Sequence, residues 1–236
     1  MKTKKFSASK YVGDPINAVK IFNEKEADEI LVLDISEDVE TLGPNFDLIE
    51  SLASECFMPL AYGGGIRNLD QAFELTRIGV EKIVLNTSLH TNPEFVRAAI
   101  KKLGSQAIIG SIDVKRDLFR RQRVFINGGK KNTRIDPISY CNLIDQLGVG
   151  EILITSIDHE GCGSGYDFSL VQEISSNVSV PVIANGGASS LEDMTRAINV
   201  CGASAAAAGS LFVFYGAHKA VLISYPNFSE IERAMR

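Results

Sequence analysis

Short apolar runs along the chain alternate with stretches whose apolar residues recur every three or four positions. The runs EILVLDIS (29–36), MPLAYGGG (58–65), KIVLNTS (82–88), QAIIGSID (106–113), EILITSID (151–158), VPVIANGG (180–187) and SAAAAGS (204–210) read as strands. Between them FDLIESLASE (46–55), LDQAFELTRIG (69–79), PISYCNLIDQLG (137–148), LVQEISSN (170–177) and LEDMTRAIN (191–199) carry the helical period. Strand and helix in strict alternation predict an α/β chain: a parallel sheet with crossover helices.

The pattern repeats itself. Asp14-Pro15-Ile16 recurs as Asp136-Pro137-Ile138, Glu29-Ile30-Leu31 as Glu151-Ile152-Leu153, and Pro59 as Pro181, always 122 positions apart. Gly64-Gly65 maps onto Gly186-Gly187, Leu69 onto Leu191 and Ser88-Leu89 onto Ser210-Leu211 at the same offset. Coincidence supplies one or two such matches but not a constant offset, so the chain is a duplicated unit. The expected fold is a (β/α)8 TIM-type barrel built from two half-barrel repeats, about 1–110 and 111–220, forming one domain over 1–236. Four strands per half would make eight, whereas seven are read. The equivalent of Asp113 falls at position −9, before the first residue, so the first strand is expected to be missing from this chain. A sheet lacking it would present unpaired edges, and the chain alone is expected to be unstable or to aggregate.

Composition narrows the partners. A net charge of -5 and a pI near 5.3 argue against a nucleic-acid or membrane binder and for small molecules or another protein. Cys56, Cys141, Cys162 and Cys201 lie far apart with no metal-ligand spacing, so neither a disulfide framework nor a metal site is expected. No export signal or membrane span is read, and a cytoplasmic protein without a cofactor is expected.

Candidate chemistry gathers where strands end. In GSIDVKR (110–116) an apolar run stops at Asp113, placed to act as a general acid or base. Asp34 and Asp158 also follow strands, where capping is as good an account as chemistry. Gly64-Gly65 and Gly186-Gly187 end strands just before helices; each is followed by a second strand end, Asn86-Thr87-Ser88 or Ala208-Gly209-Ser210. Glycines can serve tight turns alone, but two repeat-related pairs favour two phosphate sites and a ligand with a phosphate at each end. Eight bases against Asp117 alone, between Lys115 and Arg134, read as a hairpin overhanging the mouth. It would attract an anionic substrate, or be a solvated ribbon or an RNA contact, of which the acidic remainder of the chain makes RNA the weaker. His90, His159 and His218 have no catalytic context, and the Gly-rich IDHEGCGSGYD loop is expected to be mobile.

From Lys2 to about Phe214 the chain resembles the cyclase subunit family of imidazole glycerol phosphate synthase, in GDP (13–15), DEILVLDIS, YGGGI, KIVLNTS, GSQAIIGSIDVKR, GKKNT (129–133), GEILITSID and SGYD (164–167). The resemblance implies a lyase of histidine biosynthesis. Ammonia from a glutaminase partner would convert a ribulosyl bisphosphate into imidazole glycerol phosphate and aminoimidazole carboxamide ribotide. It makes Asp113 one of two catalytic aspartates, the other lying on the unread strand. It assigns substrate and phosphate contacts to Lys2, Asp34, Gly64, Gly65, Asn86, Thr87, Thr155, Asp158, Gly186, Gly187, Gly209 and Ser210, and an ammonia gate to Glu29, Lys82 and Glu151. The gate residues stand an odd five positions before Asp34, Thr87 and Ser156, which does not by itself put gate and site on one face. Asn185, Glu160 and AGSLFVFYGAH (208–218) depart from the family pattern. The last is more similar to a divergent branch associated with surface-polysaccharide genes and amidino-sugar formation. An ammonia-dependent step on a nucleotide sugar, or a barrel that only activates a glutaminase, are the alternatives.

Overall fold

All seven predicted strands form. The protein is seen as a computed structural model that describes residues 4–7, 9–36, 38–216 and 218–235. The strands are β1 (Ile30–Leu33), β2 (Leu60–Gly63), β3 (Lys82–Leu85), β4 (Ile108–Arg116), β7 (Glu151–Ser156), β8 (Val182–Asn185) and β9 (Ala205–Ala206). They pair in parallel in the order β1-β2-β3-β4-β7-β8-β9, with β1 and β9 at the ends. Between β4 and β7 lie β5 (Gln122–Ile126) and β6 (Lys131–Asn132), which fold back antiparallel as the predicted basic hairpin. Asp113 does not end its strand, as the apolar run suggests. β4 continues through Arg116 because the hairpin arm β5 supplies a partner for those last residues.

Helices cover one face of the sheet, giving the α/β TIM-type fold: α1 (Pro15–Glu24), α2 (Val39–Leu42), α3 (Phe46–Ser54), α4 (Leu69–Arg77), α5 (Thr87–Thr91), α6 (Pro93–Leu103), α7 (Pro137–Leu147), α8 (Phe168–Ser175) and α9 (Leu191–Asn199). The strand period sorts side chains between two cores. Leu60, Ile83, Leu85, Ile108, Ile152 and Val182 pack outward against helix residues such as Ile49, Leu75, Val96 and Ile144. Ala61, Val84, Ile109 and Leu153, with Leu31 and Ile183, form a separate inner layer, one side chain from each of six strands.

The duplication is visible in the helix caps. Asp14 and Asp136 each precede a proline at the first helical turn, and each accepts from backbone amides, Ile16 and Asn17 in one case and Ser139 in the other. Asn45 and Asp167 accept from Leu48 and Leu170 in the same way, as do Asn68 and Ser190 from Gln71 and Asp193. All three pairs keep the 122-residue offset, and α4 and α9 coincide with it at both ends.

The C-terminal segment has no counterpart in the repeat. After α10 (Ser210–Val213), strands β10 (Phe214–Tyr215) and β11 (Ala220–Val221) form a small ribbon, and α11 (Phe228–Met235) follows. Tyr225 packs against Phe212 with the rings tilted by 54° and their centroids 4.9 Å apart, and donates its hydroxyl to Asp28 Oδ2 at 2.6 Å. The two contacts join the last strand connection to the residues just before β1.

Burial and the neighbouring Asp28 carboxylate push the Tyr225 phenol up to about 12. A raised phenol favours the folded state while protonated, so its contribution is complete below the unfolded value near ~10 and is lost as pH rises towards the folded one. Tyr225→Phe is expected to cost ~1 kcal/mol at pH 7. In denaturant melts of both proteins the difference should shrink as the pH passes through that alkaline window.

Candidate active site

The strand register brings the predicted polar residues to one rim. Ser111 follows Gly110, which pairs with Leu85, and the Asn86 amide donates to Ser111 O at 3.0 Å. Asp113 pairs with Thr155, and Thr155 pairs with Asn185, whose amide donates to Thr155 Oγ1 at 3.0 Å. Asp113, Thr155 and Ser156 are buried. Asp34, Gly64, Thr87, Asp158 and Gly186 follow the ends of their strands at this same rim.

The two glycine pairs sit differently in their halves. All four glycines hold positive φ. At Gly64 an added Cβ would lie 2.7 Å from the Asp34 Cβ, and at Gly65 it would strike Val39 O. At Gly186 it would lie 2.8 Å from Ser156 O, and at Gly187 it would strike Gly165 O. Each pair is therefore a place where chain passes too close for any side chain. In the second half a shallow depression opens between Gly186, Gly187, Ala207, Gly209, Ser210 and Glu160. The predicted second phosphate position is thus lined mostly by small residues, beside one carboxylate. In the first half the polar side chains at the corresponding strand ends are hydrogen-bonded to neighbouring segments. Asp34 accepts from Ser36 N at 2.8 Å and from the Tyr62 hydroxyl at 3.2 Å, while Thr87 Oγ1 accepts from Asn127 N of the hairpin turn at 3.2 Å.

The hairpin does reach over the mouth: its turn is bonded to Thr87, and a Cβ at Gly129 would lie 2.9 Å from Phe6 and 3.0 Å from Ile157. Its charge is partly neutralised at the stem. Arg121 and Arg123 lie 3.1 and 3.8 Å from Asp117, and Arg116 lies 4.0 Å from Asp167. Asp158 accepts from the Arg116 amide at 2.9 Å, so it ties β4 to the following loop. The Gly-rich loop expected to be mobile is held by Gly165 N to Gly187 O at 2.9 Å, His159 Nδ1 to Gly165 O at 2.8 Å, and the Tyr166 hydroxyl to Ala207 O at 2.9 Å. Lys2 lies outside the described residues.

At the opposite ends of the strands, Lys82 Nζ lies 3.1 Å from Glu29 Oε2 and 2.9 Å from Glu151 Oε1. The three predicted gate residues therefore form one ion cluster. Partial burial works against the Lys82 charge, but the hydrogen bonds to Glu151 and Glu29 outweigh it and raise the ammonium above its ordinary value. Every second residue from this cluster faces the barrel interior: Lys82, Val84 and Asn86; Glu151, Leu153 and Thr155. The odd spacing to Thr87 and Ser156 missed this, because the partners on the same face lie four positions on, not five. Tyr62 was missed as well; it is buried, and burial with the Asp34 carboxylate raises its phenol. Nothing but an aromatic two residues before the glycines signalled it.

Comparisons with known proteins point to one family. The family model described as "Histidine biosynthesis protein" matches residues 1–219. A Pseudomonas aeruginosa protein named "Putative imidazole glycerol phosphate synthase subunit hisF2" is 46% identical over 232 residues, covering 98% of this chain and 92% of its own. "Putative imidazole glycerol phosphate synthase subunit HisF" of Leptospira interrogans is 48% identical over 233 residues, with the same coverage. A Vibrio vulnificus protein, "Putative imidazole glycerol phosphate synthase subunit hisF3", is 45% identical over 239 residues, covering 100% of this chain and 91% of its own.

Lys82→Met would leave Glu29 and Glu151 facing each other without their shared cation. The Lys82 ammonium is held above its ordinary value, so its stabilisation is complete below the unfolded value near ~10.4 and is lost as pH rises through the folded one. With roughly a quarter to a third of these side chains exposed, a cost of only ~1 kcal/mol is expected at pH 7. Thermal melts should show the difference between variant and parent shrinking at the alkaline end.

Proposed function

Because the chain belongs to the histidine biosynthesis protein family, we propose that it is a cyclase-type lyase working on ammonia supplied by a glutaminase subunit. The observation that carries this reading is the single inner face on which the Glu29–Lys82–Glu151 cluster, an apolar layer and the polar rim with Asp113 follow one another. Ammonia is small and neutral and can move past apolar side chains that exclude ions and bulk water. Shielding it from water keeps it unprotonated and therefore nucleophilic. The glutaminase would dock at the end bearing the ion cluster, and a charged cluster that can re-pair gives the entry two arrangements.

At the rim, Asp113 acts as general acid or base on the acceptor, and the Gly64–Gly65 and Gly186–Gly187 sites hold the two phosphates of a ribulosyl bisphosphate. The products are imidazole glycerol phosphate and aminoimidazole carboxamide ribotide. Asp34, Asn86, Thr87, Thr155, Asp158, Gly209 and Ser210 position the substrate between those ends. A second reading, amidination of a nucleotide sugar with the same ammonia logic, is favoured by one observation. Asn185 reaches across to Thr155 and takes up rim space where the resembled family carries a small hydroxyl.

Purified chain given ammonia and the ribulosyl bisphosphate is expected to consume it and release both products. Asp113→Asn should lower that rate by about 10²–10⁴, with the melting temperature little changed. An unconsumed bisphosphate would sink the cyclase reading and leave the sugar reading. Glutaminase stimulation with no product from either chain would instead select a barrel that only activates its partner.

A further inference from the structure

Asp113, Thr155 and Asn185 occupy one row across β4, β7 and β8. All three stand on the inner face, an even number of positions beyond Ile109, Leu153 and Ile183 of the inner layer. Exposure separates the last two. Thr155 is 2% exposed, whereas Asn185 is only half-buried and borders the shallow depression at the rim. The Asn185 amide donates to Thr155 Oγ1 at 3.0 Å, and among the described residues its carbonyl oxygen and second amide proton have no partner. A carboxamide anchored through one N–H on a buried oxygen is held in one orientation, with an acceptor and a donor left to offer.

The first half has no such pair. At the 122-residue offset Thr155 becomes Leu33 and Asn185 becomes Gly63. A Cβ at Gly63 would lie 3.0 Å from Leu33 Cδ2 and 2.8 Å from Val84 Cβ, so one apolar side chain already fills the space that two polar ones share in the second half. The duplicated backbone therefore closes this row without hydrogen bonds, and packing alone does not call for a polar pair there. We propose that Asn185 is a specificity-determining residue that hydrogen-bonds a neutral hydroxyl of the substrate in the row of Asp113, and that Thr155 is the positioning residue orienting its carboxamide. The inference rests on the cyclase reading, because a ribulosyl bisphosphate carries hydroxyls between its phosphates. An uncharged group that both donates and accepts matches a hydroxyl, which does the same, better than a phosphate oxygen, which only accepts. A site built this way discriminates by leaving its own polar groups unpaired when the hydroxyl is absent.

Steady-state kinetics of the full chain with ammonia and the ribulosyl bisphosphate test this in Asn185→Leu, which keeps the size and removes both hydrogen-bonding groups. KM is expected to rise about tenfold, the worth of one hydrogen bond, with kcat changed by less than about threefold. Thr155→Val should also raise KM, Thr155→Ser should raise it less because the hydroxyl remains, and Thr155→Val should add nothing once Asn185→Leu is present. A merely structural pair would lower the melting temperature without moving KM in this pattern. Should Asn185→Leu fail to fold, Asn185→Ala is read in the same way. A KM equal to the parent's in the Asn185 variant overturns the proposal, as does a Thr155→Val effect that persists beside Asn185→Leu. If the parent turns over no bisphosphate, the cyclase reading falls and this inference with it, whereas parent turnover with an unchanged variant KM removes the inference alone.

Discussion

Alternation along a parallel strand is the constraint on which this molecule depends. Every second side chain of β1, β3 and β7 faces inward, so Glu29, Lys82 and Glu151 at one end share a surface with Leu31, Val84 and Leu153 in the middle. The same rule carries Asn86, Asp113 and Thr155 to the other end. A one-residue slip of any strand would turn its charge and its rim group towards the helices, where Ile83, Leu85 and Ile152 now pack. The inner apolar layer thus does two things at once: it fixes the register, and it separates a charged end from a polar rim.

Duplication explains the make-up of the ion cluster among the described residues. Glu29 and Glu151 are equivalents 122 positions apart, but the equivalent of Lys82 is Ser204. Two glutamates from two halves therefore share one lysine, and its raised affinity for a proton follows from serving both. The capping pairs Asp14 and Asp136, Asn45 and Asp167, and Asn68 and Ser190 kept their roles because a helix start needs an acceptor in either half.

Much of this was legible in the chain. Apolar runs and helical periods have a direct physical cause in burial, so the seven strands and five helices were read close to their observed ends. The constant offset made the repeat visible without any fold. Less legible were contacts made between segments distant in sequence: the Tyr62 hydroxyl on Asp34, Asn185 on Thr155, and the anchoring of the Gly-rich loop through Gly165 and Tyr166. That loop has a flexible composition, and only its neighbours reveal that its polar groups are spoken for. Asp113 was misread as a strand end because a hairpin arm that prolongs β4 leaves no mark in the apolar run itself.

The halves agree in backbone and disagree in what fills the mouth. Asp34 corresponds to Ser156, Tyr62 to Ala184, Asn86 to Ala208 and Thr87 to Gly209. At each of these positions the first half has the larger side chain, and at one it has a carboxylate. The first glycine pair is consequently hemmed by Asp34 and Val39, while the second opens into a shallow depression. The two ends built from one duplicated loop are therefore not equivalent: the side chains at the strand ends of the first half are the larger, and those of the second are small and lie beside Glu160.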